Sequence, residues 1–116
     1  MPSRSSLWTI IKVGTMKLNN IHPGEILHEE VVKPLGITPY RLAKELRVPQ
    51  TRIAAILAGR RSITPDTALR LAAYLGTSAQ FWLNLQSAYD LEEAERAPAG
   101  DIRNIQPLQR STSVAA

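Results

Sequence analysis

Proline and glycine divide the middle of this chain into short segments, and each segment has the ends of a helix. Thr38-Pro39 and Thr64-Pro65 both pair a hydroxyl group that caps helices with a proline suited to the first helical position. Gly59 and Gly76 each follow the last apolar residues of a segment, where glycine suits the left-handed conformation that ends a helix. A chain punctuated in this way is restricted to short helices joined by tight turns.

Apolar residues spaced three and four apart predict five helices between these stops. Pro23 is expected to begin the first helix and Pro34 to stop it, and Thr77 with Gln80 is expected to form a capping box before the fifth. The predicted inward residues are Ile26, Leu27 and Val31; then Leu42, Ala43 and Leu46; Ile53, Ile56 and Leu57; Leu69, Leu71, Ala72 and Leu75; and Phe81, Trp82, Leu85, Ala88 and Tyr89. No run alternates as a strand does, so the predicted fold class is all-α.

The two ends of the chain lack this periodicity. We expect a single domain over residues 17–96, preceded by a poorly ordered extension at 1–16 and followed by a flexible tail at 97–116. The tail begins at the helix break Ala97-Pro98 and mixes small and polar residues without a repeat.

Composition narrows the function before any motif is considered. The chain has 116 residues and a net charge of +4, and it lacks cysteine, which excludes disulfides and thiolate metal sites. Its apolar runs are too short to cross a bilayer. Between Arg41 and Arg61, six basic residues less one acidic residue leave +5, which favours a polyanionic partner. We expect a cytoplasmic protein without metal, cofactor or membrane contact.

Residues 39–59 form the informative unit, because two short helices meet there at a tight break. Ala43 is small enough for a second helix to cross closely, as a helix-turn-helix requires. With Ile53 and Ile56 turned inward, the outward side of the third helix is polar at its start and small thereafter. A helix that enters the major groove needs this distribution, since its first turn reaches the base edges.

The side chains of this unit suit duplex DNA. Gln50 matches the edge of adenine, Thr51 a thymine methyl group or a phosphate, and Arg52 a guanine or a phosphate. Arginines beyond the helix end and the start of the second helix are placed for phosphates. The predicted DNA-binding residues are Thr38, Tyr40, Gln50, Thr51, Arg52, Ala55, Arg60 and Arg61.

The sequence resembles the HigA-like antitoxins, also called virulence-associated protein I, within the Xre-type helix-turn-helix family. The matching segments are IHPGEIL at 21–27, RLA at 41–43, GRRSIT at 59–64, DTALRL at 66–71 and FWLNLQSAYDL at 81–91. The resemblance implies a five-helix, phage-repressor-like domain and a homodimer that binds a palindromic operator in its own promoter. It also implies binding and neutralisation of a RelE-like, mRNA-cleaving toxin.

Two residues depart from the family pattern. Arg47 stands in the turn where relatives often carry glycine, so we expect that turn to be shaped somewhat differently. Ala55 replaces a longer polar side chain that many Xre-type proteins use to read a base, and readout would then depend on Gln50, Thr51 and Arg52.

Three other interpretations compete with this one. An enzyme is disfavoured, because His22 and His28 are six residues apart and would lie on different helix faces. A pure interaction module that blocks a toxin without binding DNA, and an orphan Xre-type regulator without a toxin, both stay open. The late residues Phe81, Trp82, Leu85 and Tyr89 are candidates for core, for a dimer interface or for a toxin contact.

Overall fold

The computed structural model describes residues 20–109, and over that part of the chain the fold is all-helical, as predicted, with six helices and no strand. The predicted extension 1–16 and the last residues of the predicted tail, 110–116, lie outside the described residues. Among residues 20–109, no helix is long and apolar enough to span a membrane.

Helix α1 has three consecutive stretches: α-helical Pro23–Leu27, π-helical His28–Val32 and α-helical Lys33–Leu35. The prediction that Pro34 stops this helix is wrong. The Lys33 N–H bonds to the carbonyl of His28, five residues back. The helix continues to Leu35, one residue after the proline, and Gly36 caps it with φ +64°. A regular α-helix would press the proline ring on the Glu30 carbonyl, and the wider π turn relieves that contact.

Helices α2 (Pro39–Leu46) and α3 (Gln50–Leu57) pack against each other. Thr38 caps α2 as predicted, because its hydroxyl oxygen accepts from the Arg41 N–H at 3.0 Å. The predicted inward residues of α2 and α3 are confirmed as buried, Leu57 partly so.

Helix α4 (Pro65–Leu75) begins at the predicted Thr64 cap and ends at Gly76, where φ is +79°. The prediction that Leu69 faces inward is wrong, because its side chain is 64% exposed while Ala68 and Leu71 are fully buried. The buried stripe therefore runs through Ala68 and Leu71, and Leu69 lies one residue, or 100°, away from it.

Helix α5 (Ala79–Arg96) begins at Ser78, whose hydroxyl oxygen accepts from the Phe81 N–H at 3.0 Å. The predicted capping box of Thr77 with Gln80 is wrong. The Thr77 hydroxyl instead accepts from the indole N–H of Trp82 at 2.8 Å. A short helix, α6 (Gly100–Arg103), follows the break at Ala97-Pro98.

One apolar core joins these helices. Helix α1 packs on α3 and α5, α2 packs on α4, and α4 packs on α5. The buried apolar residues are Ile26, Leu27, Val31, Val32, Leu42, Ala43, Leu46, Ile53, Ile56, Ile63, Ala68, Leu71 and Trp82. Helix α3 contributes only its inner side to this core, so its other side stays at the surface.

Candidate nucleic-acid interface

The outward side of α3 is uncovered within the described residues. Gln50, Thr51 and Ala54 are exposed and Ala55 is half-buried, whereas Ile53 on the inner side is fully buried. A helix whose first turn is polar and whose next turn carries only methyl groups fits closely into a major groove. The structure thus presents the surface that the sequence predicts for a recognition helix.

The turn between α2 and α3 contains a backbone conformation that is rare for arginine. Arg47 has φ +60° and ψ +46°, the left-handed region that glycine ordinarily occupies. Two backbone hydrogen bonds close the turn, from Arg47 to the Lys44 carbonyl at 3.1 Å and from Val48 to the Ala43 carbonyl at 3.0 Å. The expectation that arginine changes the shape of this turn is therefore wrong: Arg47 takes up the strain instead.

The start of α2 places two predicted residues at the surface. Thr38 is exposed, and its hydroxyl oxygen already accepts the capping hydrogen bond of the helix. The Tyr40 side chain is 61% exposed. Both hydroxyl groups retain a hydrogen to donate, so a phosphate oxygen is a suitable acceptor for either.

Arg52 occupies a different environment from its neighbours on α3. Its guanidinium Nη1 lies 3.0 Å from Oδ2 of Asp66 on α4, and only 24% of its side chain is exposed. Its Nε is buried and has no hydrogen-bond partner in the described structure. Arg52 is thus directed toward the first turn of α4 instead of projecting from the outward side of α3.

Asp66 joins Arg52 to a second arginine. Oδ2 of Asp66 also lies 3.0 Å from Nε of Arg70, one turn further along α4. Hydrogen bonds from Arg70 and then from Arg52 hold the pKa of the Asp66 carboxyl below its usual range. Arg70 in turn donates through Nη1 to the Leu46 carbonyl at 2.9 Å, at the end of α2. Sequence reasoning missed this chain of contacts, which links α2, α3 and α4.

Arg60 and Arg61 follow the end of α3, after Ala58 and Gly59. Gly59 has φ +78°, and the Arg60 N–H bonds back to the Ala55 carbonyl at 2.8 Å, so the helix end fixes where the arginines begin. Both side chains are exposed, and within residues 20–109 neither forms an ion pair. Two uncompensated guanidinium groups are thus available to phosphates.

A buried glutamine holds the loop that carries these arginines. Gln86 on α5 accepts through Oε1 from the Ile63 N–H at 2.7 Å, and its Nε2 donates to Oδ1 of Asp90 at 2.9 Å. Sequence reasoning did not single out Gln86. The available signal was its position four residues after Trp82, which places a polar side chain on the buried side of α5.

The IHPGEIL segment supports the C-terminal end of α3. The Nδ1 atom of buried His22 accepts from the Gly24 N–H at 2.8 Å and caps α1. Burial lowers the pKa of His22, and the negative charges of Asp90 and Glu25 offset part of this shift. A Cβ placed on Gly24 would come within 1.7 Å of the Ile56 carbonyl oxygen, so only glycine permits this approach of α1 to α3.

A cleft of about 410 Å³ lies between α1 and the end of α3. Its lining residues are His22, Glu25, His28, Glu29, Leu57, Ala58 and Gly59. The two histidines share this cleft, although the sequence predicts separate helix faces, because His22 precedes the helix in extended conformation. In residues 20–109, no three His, Asp or Glu groups are placed to hold a metal ion.

The late aromatic residues lie mainly against the body of the domain. Trp82 is buried and meets the ring of Phe81 edge to face at 5.0 Å, and Tyr89 meets the ring of His22 in the same way at 4.8 Å. Phe81, Leu85 and Tyr89 are each half-buried. The structure accounts for Trp82 as core and leaves one side of the other three at the surface.

This chain is similar to known proteins over most of its length. A helix-turn-helix family matches residues 29–82. Virulence-associated protein I of Dichelobacter nodosus is 52% identical over 86 residues, which cover 74% of this chain and 80% of that protein.

Similar solved structures include two that each cover 78% of this chain. Antitoxin HigA of Pseudomonas aeruginosa, solved with the higBA promoter, has a TM-score of 0.74 at 43% identity and covers 78% of this chain and 100% of its own. PA4674 of Pseudomonas aeruginosa, solved with its 18-base-pair operator DNA, has a TM-score of 0.72 at 44% identity and covers 78% of this chain and 98% of its own.

Proposed function

Because the chain belongs to the Xre-type helix-turn-helix family of virulence-associated protein I and the HigA antitoxins, we propose that it is a cytoplasmic, sequence-specific DNA-binding antitoxin. In this proposal it represses its own toxin–antitoxin operon and neutralises a RelE-like, mRNA-cleaving toxin. The proposed function involves no catalysis by this chain.

The exposed side of α3 is the observation that carries the DNA-binding part. Gln50 and Thr51 are exposed at the start of this helix, and Ala54 follows. Arg60 and Arg61, which form no ion pair within residues 20–109, come after Ala58 and Gly59 at its end. The polar groups at the start of the helix reach base edges, the small residues let the helix backbone approach the DNA closely, and the flanking arginines neutralise phosphates. Similar proteins were solved with promoter or operator DNA, which supports DNA binding by this chain.

We further propose that the protein acts as a homodimer. Two copies of α3 would enter successive major grooves about 34 Å apart, on a palindromic site. The exposed sides of Phe81, Leu85 and Tyr89 on α5 are the proposed interface, with buried Trp82 supporting them from the core. The toxin would bind elsewhere on the dimer or share this surface.

Fluorescence anisotropy with the protein's own promoter DNA tests the first part. Gln50→Ala should relax the preference at one base pair by about 1 to 3 kcal/mol. Arg60→Ala should weaken binding to every duplex and reduce the slope against log salt by about one. Equal affinity for promoter and scrambled duplexes in the wild type would contradict sequence-specific binding.

Co-expression tests the antitoxin part. A toxin-sized reading frame beside the gene is expressed alone and then together with this chain, and both growth and mRNA integrity are measured. Restored growth and a co-purifying complex support the antitoxin, whereas DNA binding without any rescue identifies an orphan regulator. Rescue by a protein that does not bind the promoter identifies a pure interaction module.

A further inference from the structure

The ion pair between Arg52 and Asp66 has a consequence for how the recognition helix meets DNA. Arg52 stands at the third position of α3, beside the exposed Gln50 and Thr51. An unpaired arginine at that position would add affinity for phosphate regardless of sequence. Its guanidinium is instead bonded to Asp66 at 3.0 Å and its Nε is buried, so the charge is held at the first turn of α4.

Asp66 is itself held in place from two sides. Arg70 lies 3.0 Å from the same carboxylate oxygen and donates to the Leu46 carbonyl at 2.9 Å. The carboxylate that receives Arg52 is thereby tied to the end of α2, where the turn into α3 begins. Retention of the Arg52 charge beside α4 thus depends on the Asp66 side chain.

We propose that Asp66 is a specificity-determining residue that withholds Arg52 from the DNA backbone, so that α3 contacts DNA through Gln50 and Thr51. This inference rests on the proposed DNA binding and revises the sequence-based role of Arg52. Asp66 does not touch DNA in this proposal; it acts through Arg52. Because the Asp66 side chain is 56% exposed, the ion pair adds little to folding, and its loss should appear in DNA discrimination.

The test compares affinity for the promoter duplex with affinity for a scrambled duplex of equal length and composition, over a range of salt concentrations. Asp66→Asn frees Arg52, so binding to the scrambled duplex should strengthen, with a slope against log salt steeper by about one. The promoter-to-scrambled affinity ratio should fall about three- to tenfold. Asp101→Asn makes the same charge change on α6 and should leave that ratio unaltered.

Two further variants, Arg52→Gln and Arg60→Gln, test the inference even if Asp66→Asn folds poorly, which thermal melting would show. Arg52→Gln should keep the wild-type salt slope, since the withheld charge neutralises no phosphate, whereas Arg60→Gln should lower the slope by about one. A slope that falls equally in both variants overturns the inference, as does an unchanged affinity ratio in Asp66→Asn. If the wild type prefers its promoter and Asp66→Asn keeps that preference, only this inference fails. If the wild-type protein binds promoter and scrambled duplexes equally, both the proposed sequence-specific binding and this inference are contradicted.

Discussion

The side-chain oxygen of Gln86 accepts a hydrogen bond from the backbone N–H of Ile63 at 2.7 Å, across 23 residues of sequence. Both residues are buried, so water cannot replace the bond if it is lost. Ile63 ends the loop that carries Arg60 and Arg61, and Gln86 therefore fixes that loop to α5.

Replacing Gln86 with methionine should destabilise the fold by about 1 to 3 kcal/mol, because a side chain of similar size then leaves the Ile63 N–H without an acceptor. Urea denaturation followed by circular dichroism measures the change. Asn84→Ala is the control, since Asn84 is exposed and its side chain bonds to exposed Gln80, and it should shift stability by less than about 0.5 kcal/mol. Equal losses of stability in the two variants would contradict a specific stabilising role for the hydrogen bond between Gln86 and Ile63.

Gly24→Ala should be among the most damaging small substitutions in the chain. The added Cβ would lie 1.7 Å from the Ile56 carbonyl oxygen, which is backbone and cannot rotate away, so α1 must move off α3. We expect a loss of about 1 to 3 kcal/mol or more in the free energy of unfolding. Gly100→Ala adds the same methyl group with nothing within 4 Å and should be nearly neutral, and a neutral Gly24→Ala would contradict the close approach.

Features set by neighbours along the chain were predictable. Thr38 and Thr64 cap their helices as expected, Gly59 and Gly76 are left-handed at helix ends, and Ile53 faces inward. Each depends on residues three or four positions away, which the sequence displays directly. The exposed side of α3 followed from the same periodicity.

Features set by tertiary packing were not predictable. Two adjacent hydroxyls, Thr77 and Ser78, are both able to cap α5, and the Trp82 indole decides between them by bonding Thr77. Arg52 meets Asp66 across 14 residues of sequence because the fold brings the first turns of α3 and α4 together. Periodicity predicts which face of a helix is buried but not how two helices are oriented, so contacts of this kind do not follow from the sequence pattern.

Arg47→Gly should stabilise the protein by about 0.5 to 1 kcal/mol, because glycine adopts the left-handed conformation without the strain that arginine bears. The strain that is relieved exceeds the entropy that glycine adds to the unfolded chain. Chemical denaturation measures the gain. Lys44→Gly, an exposed position inside α2, should instead destabilise by about 1 kcal/mol. If both changes destabilise equally, the turn has no strain for glycine to relieve.

His22 should make stability depend on pH near neutrality. Its Nδ1 must be unprotonated to accept from the Gly24 N–H, and burial lowers its pKa below the ordinary 6.5. Between the folded and unfolded pKa values the unfolded chain binds more protons, so stability is full above about 6.5 and falls as pH decreases below it. Lowered carboxyl pKa values of Glu29 and Asp66 act only at more acidic pH.

Urea denaturation at about pH 7.5 and about pH 5.5, at fixed protein concentration, measures this dependence. His22→Asn keeps a side chain that caps helices but does not titrate, so it should lose the difference in stability between the two pH values even if it is less stable at both. His28→Asn changes a half-buried histidine that caps no helix and should retain the difference. A full pH difference in His22→Asn, or its disappearance in His28→Asn, would mean that protonation of the α1 cap is not the cause.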